Sequence, residues 1–544
     1  MTQVNNQPTG SAQSIVAALW EEGVQDVFGI PGTHNLELYR ALGDSGIRHW
    51  APRHEQGAGY AADGYARSTG RPGVVITTSG PGLTNACSAV GTAYADSIPI
   101  LVIAPGMPTG TVGKDLGQLH ELKDQFGHMA AIADRSLRAV SGRQAADFVH
   151  SVFATWREGR QRPAYLEIPL DVLDGEYQAG SQQAEASRAP QPPRDQTERP
   201  TPSAAKVAQV ARLLESAQRP VVVLGGGART VATSATQLVE AVGAIAVTTA
   251  SGKGVIPETH PLTLGATIDL PDAQQEIVAA DVLLVLGSEL GDSELGADDW
   301  QPGGTVVRVD IDERQLTKRF APAIAVHADA LDFLSLLLEV TVPASQERVA
   351  TAQLRAGAVR ERLAQATHRL GAAWVQINES LCAALPSDTI VAGDSSQVSY
   401  KGTLYHWRMG APRQFLYPAG YSTLGYGLPA AIGAKIGQPH RPVIVLQGDG
   451  GFMFTVQELA TAVDQLLGIP IVIMNNGGYG EIREQMLARG IPPLGTDLHI
   501  PDLAQLCQAC GGFGEHAGPG DNVAELVLEA LTKDRPTVIE VAVS

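Results

Sequence analysis

The strongest constraint on this chain is a rhythm in its sequence. Short, continuous apolar runs alternate with helical stretches along most of its 544 residues. The first part carries GVVITT at 73–78, IPILVIA at 98–104 and AYLEIP at 164–169. Further along come PVVVLGGG near 220, AIAVTTA near 244, DVLLVLGSEL near 281 and TVVRVDID near 305. The last part has TIVAGD near 389, PVIVLQGDG near 442 and IPIVIMNN near 469. A strand with one wet face alternates apolar and polar residues. A strand apolar throughout is covered on both faces, which is the pattern of parallel sheets flanked by helices. The expected fold class is therefore α/β, with three doubly wound parallel-sheet domains.

Composition shifts set the boundaries. Residues 179–202 turn to Gln, Pro and charge with no apolar period, as a linker does. Residues 346–371 are charged and alanine-rich with few strand formers, a helical or linking segment. This gives domains at 1–178, 203–345 and 372–544. The chain holds 39 Lys and Arg against 57 Asp and Glu, a net charge of −18. That balance argues against nucleic acid, which needs a basic surface, and gives no support for docking on anionic lipid. No apolar run is long enough to span a bilayer, and the N-terminus MTQVNNQPTGSAQ lacks a signal-like apolar region. Four cysteines make no disulfide framework, so the cytoplasm is the expected compartment. Cys507 and Cys510 form a CxxC without a second ligand pair. They read as packed or surface thiols on one face of a short helix ending at a glycine.

The most informative unit lies in the last block. Strand PVIVLQ runs into Gly448-Asp449-Gly450-Gly451, helix FTVQELATAVDQL follows, and strand IPIVIM ends in Asn475-Asn476. Asp449 and Asn476 are 27 residues apart, each just past a strand end. Two adjacent parallel strands joined by a helix would bring them together. A carboxylate plus an amide oxygen suits a hard cation such as Mg²⁺. The glycines would let backbone N–H groups approach a phosphate. Taken alone, GDG could be a tight turn and NN a strand cap; the complete unit favours the ligand reading.

This unit resembles the diphosphate and metal motif of thiamine-diphosphate-dependent enzymes. The first block supplies the matching half, Pro52-Arg53-His54-Glu55-Gln56-Gly57-Ala58, similar to the segment whose glutamate faces the coenzyme's aminopyrimidine. Phe28-Gly29-Ile30-Pro31-Gly32, Ser79 to Asn85 (SGPGLTN) and Gly425-Tyr426-Gly427-Leu428-Pro429 also match. The resemblance covers the whole chain in order, as pyrimidine-binding, central and diphosphate-binding domains. It is to the acetohydroxyacid synthase and 2-oxo acid decarboxylase superfamily.

Roles follow from the resemblance. Glu55 would hydrogen-bond the pyrimidine N1′ and help the coenzyme's own amino group remove the thiazolium proton. Leu424 would wedge the coenzyme into its bent form, with the Leu424 N–H, the Ser422 carbonyl and Asn85 among its contacts. The diphosphate would sit on Gly450, Gly451, Ser395 and Ser396. Mg²⁺ would take Asp449, Asn476 and the Gly478 carbonyl. The central block has Leu224-Gly225-Gly226-Gly227-Ala228 but no full GxGxxG with an acidic partner, a weak dinucleotide signal. Where flavin-binding relatives carry an arginine, this chain reads Gly287-Ser288-Glu289-Leu290-Gly291-Asp292. Acidic residues there would repel a flavin diphosphate, so no FAD is expected.

The pocket positions implied by the resemblance are Thr33, His34, His120, Glu121, Gln125, Glu481 and Ile482. A carboxylate at Glu481 suits a cationic substrate tail. It can equally pair with Arg483 or Lys123 and leave substrate untouched. The adjacent His-His pair of pyruvate decarboxylases is absent. The combined segments are most similar to 5-guanidino-2-oxopentanoate decarboxylases. The expected activity is decarboxylation of a 2-oxo acid, with a cationic guanidino tail as the candidate, to CO₂ and an aldehyde. The alternatives are carboligation, as in acetolactate synthase, and a coenzyme-binding member without turnover. The resemblance also implies a homodimer or homotetramer with sites at subunit interfaces.

Overall fold

A computed structural model describes residues 10–175, 199–296, 300–518 and 520–543. Most of the linker expected at 179–202 lies outside them. The described strands form three sheets. The first holds β1 (Asp26–Gly29), β2 (Arg48–Trp50), β3 (Gly73–Ile76), β4 (Ile100–Gly106), β5 (Arg135–Arg138) and β6 (Ala164–Pro169), in the order β2-β1-β3-β4-β6-β5. The second holds β7 (Pro220–Leu224), β8 (Ile245–Thr248), β9 (Val282–Leu286), β10 (Thr305–Asp310) and β11 (Ile324–His327), in the order β11-β10-β9-β7-β8. The third holds β12 (Ile390–Ala392), β13 (Phe415–Leu416), β14 (Val443–Gly448), β15 (Pro470–Asn475), β16 (Phe513–Ala517) and β17 (Thr537–Ala542), in the order β13-β12-β14-β15-β17-β16. Every pairing between named strands is parallel.

The central sheet shows why its strands are apolar at every position. Val222, Leu224, Leu284, Leu286, Val307 and Val309 point into one core with Val210, Leu214 and Leu238. Their neighbours Val221, Val223, Leu283 and Val285 point into a second core with Ile277, Val359 and Leu363. Successive side chains of a strand face opposite ways, so both faces need apolar residues. The edge strand β5 escapes that demand. β5 reads Arg-Ser-Leu-Arg, and each of its residues is half-buried.

By compactness the chain forms two units. One comprises residues 1–198 with 432–438 and 457–465; the other comprises 199–431, 439–456 and 466–544. Two short segments of the expected third domain thus pack with the first. The stretch expected to be helical after 345 is a helix, Gln346–His368, whose first turn is capped by Ser345 Oγ accepting from the Arg348 amide at 3.2 Å. The helix expected across FTVQELATAVDQL is shorter, Glu458–Asp464, and a separate short helix, Asp449–Phe452, begins at the GDG turn. Among the described residues no helix is long and apolar enough to cross a membrane.

Candidate active site

In the second unit, β14 and β15 are adjacent and parallel, with Gly448 opposite Met474. Their ends therefore deliver Asp449 and Asn476 side by side. The Gly478 amide donates to Asp449 Oδ2 at 2.8 Å. Asp449 is 1% exposed, and burial raises its carboxyl above the ordinary range despite the backbone amides it accepts. Asn476 Oδ1 is buried and has no hydrogen-bond partner. A buried acceptor left open is costly unless something fills it. A carboxylate, an amide oxygen and a carbonyl form a hard oxygen set that fits Mg²⁺. Gly478 has φ +137°, and a Cβ there would lie 2.2 Å from the Thr496 carbonyl oxygen, so glycine is required.

The glycines of the turn are also forced. A Cβ on Gly451 would lie 2.0 Å from Asp394 Oδ2, and one on Gly450 would press on the Tyr479 ring at 2.9 Å. Asp394 is the last residue before Ser395 and Ser396. Its Oδ2 accepts from the Gly425 amide at 3.0 Å, and burial pushes its carboxyl up to about 6. The amides of both serines are already engaged. Ser395 N donates to the Thr423 carbonyl at 3.3 Å and Ser396 N to the Asp394 carbonyl at 2.8 Å. The hydroxyls are therefore the donors the two serines have left for a phosphate, and Ser396 Oγ lies 3.2 Å from Ser399 Oγ. Leu424 is half-buried between Ser422, which has φ +50°, and Gly425, which has φ +78°.

In the first unit, Glu55 opens the helix Glu55–Thr69. His54 is its N-cap, and its Nδ1 accepts from the Gln56 amide at 3.1 Å. Asn85 Nδ2 donates to Glu55 Oε2 at 2.9 Å, which joins two residues expected at the coenzyme. Glu458, from the short segment that packs with this unit, is fully buried. Its carboxylate accepts from the Arg53 amide at 3.1 Å, the His54 amide at 3.1 Å and the Thr461 hydroxyl at 2.6 Å. It therefore holds the turn that presents Glu55. Sequence reasoning passed over Glu458 because a glutamate inside a helical run carries no signal of its own.

Two expected pocket residues meet in space. His34 Nδ1 lies 2.6 Å from Ser79 Oγ, Ser79 Oγ lies 3.4 Å from His120 Nδ1, and the two imidazoles pack edge-on at 5.0 Å. Burial, and then the neighbouring His120, hold His34 below its ordinary value. Gln125 is occupied structurally. It accepts from the Gly80 amide at 2.8 Å and donates to the Pro105 carbonyl at 2.8 Å. Glu121 Oε2 accepts from the Gln118 amide at 2.9 Å and so ties its own loop. Thr33 is exposed.

Glu481 sits at the start of the helix Gly480–Ala488, and Ile482 beside it is exposed. Lys401 Nζ lies 2.8 Å from Glu481 and 3.4 Å from Glu484, and Gln397 Nε2 donates to both carboxylates at 3.0 Å. Despite burial, these bonds hold the Glu481 carboxyl down to about 2. In the central sheet the Gly225–Gly227 loop serves close packing. Gly227 N donates to the Gly287 carbonyl at 2.9 Å, and a Cβ on Gly227 would lie 2.9 Å from Gly287 Cα. Cys507 is buried within the helix Leu503–Ala509 and Cys510 lies just past its end; all four cysteines are free thiols.

Three domain models of the thiamine pyrophosphate enzymes match this chain. They are the N-terminal TPP binding domain over residues 10–129, the central domain over 207–337 and the C-terminal TPP binding domain over 395–541. The chain belongs to the thiamine pyrophosphate enzyme family, and its coenzyme is thiamine diphosphate. It is 41% identical, over 92% of its length and 88% of the relative's, to a probable 2-ketoarginine decarboxylase of Pseudomonas aeruginosa. It is 31% identical, over 98% of its length and 93% of the relative's, to the large subunit of acetolactate synthase isozyme 1 of Escherichia coli. A probable acetolactate synthase large subunit of Methanocaldococcus jannaschii is 29% identical over 98% of this chain and 91% of that protein.

Proposed function

We propose that this chain decarboxylates a 2-oxo acid with a guanidino tail, releasing CO₂ and an aldehyde. The observation that carries the reading is the pair of carboxylates, Glu481 and Glu484, gathered on Lys401 and Gln397 beside the strand end that bears Asn476. Two carboxylates against one ammonium leave a net negative charge, which suits a planar cation able to donate to two oxygens at once. The name of the 41% identical relative points the same way.

The bound coenzyme supplies a carbanion-stabilising centre at its thiazolium ring. In this reading Glu55, oriented by Asn85, holds a proton at the pyrimidine N1′. Asp449, Asn476 and the Gly478 carbonyl would hold Mg²⁺, and Leu424 would pack against the coenzyme. Lys401 keeps Glu481 ionised and oriented until the substrate tail arrives. The enzyme acts as a homodimer or homotetramer in the cytoplasm. The acetolactate synthase relatives favour a second reading, in which the decarboxylated donor joins another carbonyl compound.

One experiment separates these readings. Purified protein with thiamine diphosphate and Mg²⁺ is given guanidino, aliphatic and aromatic 2-oxo acids, and the products are identified. The expected result is CO₂ and an aldehyde, with guanidino substrates preferred and the preference lost in Glu484→Gln. A 2-hydroxy ketone as the main product supports the second reading, and no CO₂ from any substrate refutes both.

A further inference from the structure

A second cluster of ligating side chains lies apart from the residues above. His368 ends the helix Gln346–His368, Glu379 lies on the helix Ala372–Ala384, and His406 ends the short helix Leu404–His406. One ligand atom from each of the three falls within 4.8 Å of the other two. Glu379 Oε1 is 3.7 Å from His368 Nε2 and 3.4 Å from His406 Nδ1. Two ligands about 2.0–2.1 Å from one tetrahedral ion lie roughly 3.3–3.4 Å apart, so little movement is needed to close on a metal. The imidazoles meet edge-on, with centroids 5.1 Å apart and planes at 88°, which keeps the rings from blocking the space between their nitrogens.

The surroundings prepare the ligands. His368 Nδ1 lies 2.6 Å from the Ala364 carbonyl oxygen. With Nδ1 donating to that carbonyl, Nε2 is the nitrogen turned to Glu379 and free to take a metal, as in metal-bound histidines whose second nitrogen donates to a carbonyl. His406 is 8% exposed, and its Nδ1 is the nitrogen that faces Glu379. Burial and the neighbouring His368 hold it below its ordinary value, which favours the neutral form that binds metals. A second triple of Asp502, His516 and Glu540 is as compact. Its carboxylates are already used: Asp502 accepts from the Gln505 amide at 2.8 Å, and Glu540 from Asn475 Nδ2 at 2.6 Å and the Leu503 amide at 3.0 Å.

We infer that His368, Glu379 and His406 bind a Zn²⁺-type first-row divalent cation, through one nitrogen of each histidine and one carboxylate oxygen, with water in the fourth position. Two imidazoles and one carboxylate suit zinc rather than magnesium, whose sites are built from oxygen. The ion clips together three helices of the second unit. The inference does not depend on the substrate proposed above.

The test uses the whole protein with thiamine diphosphate and Mg²⁺ bound. Co²⁺ and Zn²⁺ are titrated by calorimetry and by visible absorption. One equivalent per chain is expected, with the intense visible bands of four-coordinate cobalt. His368→Ala and Glu379→Gln, both at exposed positions, should each weaken Zn²⁺ about tenfold or more. Zn²⁺ should raise the thermal midpoint of the wild type and not of His368→Ala, which a merely structural role for the histidine would not produce. Equal Zn²⁺ affinity in wild type and both variants, or no saturable binding, overturns the inference.

Discussion

Glu458 offers a direct test of how the turn before Glu55 is built. The carboxylate is fully buried and accepts from the backbone amides of Arg53 and His54, both at 3.1 Å. Glu458→Ala leaves two amides without their acceptor. A buried unsatisfied donor costs about 1–3 kcal/mol, and these two lie in a partly buried turn that water can reach, so a local loss of about 2–4 kcal/mol is expected. Hydrogen exchange read by mass spectrometry over residues 50–60 measures that loss where it arises, which suits a chain of several domains better than a global melting point. Exchange at the Arg53 and His54 amides should quicken about 30-fold or more. Turnover should fall as well, because a displacement of about 1 Å at a catalytic group can cost about 100-fold. Glu458→Gln keeps one acceptor and should recover much of the protection. The same contact can be tested from the other side. A Cβ on Gly57 would lie 2.3 Å from Glu458 Oε1, so Gly57→Ala should be damaging alone and much milder combined with Glu458→Ala. Wild-type exchange and wild-type turnover in Glu458→Ala would refute this account of how Glu55 is placed.

Two further outcomes follow from buried groups in the second unit. The Asp394 carboxyl is raised to about 6 by burial, from an ordinary value of 3.8. The folded state thus holds a proton that the unfolded chain releases. The stability this provides is full below about pH 4 and is lost as pH rises through about 6, a swing of about 3 kcal/mol. Denaturation of the coenzyme-free protein across that window should show the decline, and Asp394→Asn should flatten it; an identical slope in the variant would contradict the assignment. Asn476→Ala removes a buried amide oxygen left open just past the end of β15. Half-saturation of coenzyme binding, followed by intrinsic fluorescence, should then need at least about tenfold more Mg²⁺ with circular dichroism unchanged, and an unaltered Mg²⁺ requirement would remove Asn476 from the metal set.

What was legible in the sequence, and what was not, has physical causes. The inner strands could be read because a residue such as Val222 and its neighbour Val223 face two different cores, so every position is apolar. The edge strand β5 carries no such requirement. The pairing of Asp449 with Asn476 could be read because each closes one of two neighbouring strands, a relation fixed by topology alone. The meeting of His34 and His120 could not, because it depends on a bridging hydroxyl from a third loop, at Ser79. Glu481 shows a different failure. The alternative to a substrate contact was a pair with Arg483 or Lys123, but residues two apart on a helix do not face each other. Arg483 instead reaches Asp497 at 3.0 Å and the Asn476 carbonyl at 3.2 Å, and the cation at Glu481 is Lys401.

The acidic composition sharpens when the buried carboxylates are sorted by what holds them. Asp63 meets Arg67 at 2.5 Å, Glu258 meets Lys253 at 2.6 Å, Glu276 meets Arg355 at 2.7 Å, and Glu167 meets Arg138. These are buried charges answered by a cation, as structural carboxylates must be. Asp394, Asp449 and Glu458 are held instead by backbone amides, and each is raised by burial. Glu55 is held by an asparagine amide. An anion buried without a countercharge weakens the fold, so a chain selected for stability alone would lose it. All four carboxylates lie at the two turns the sequence marked for coenzyme and metal, or hold those turns in place. For Asp449 the countercharge is expected from Mg²⁺, for Glu55 a shared proton replaces it, and Glu458 is answered in part by the charge of Arg53. The net charge of −18 carried no such information, because it weighs these four carboxylates equally with every solvated one on the surface.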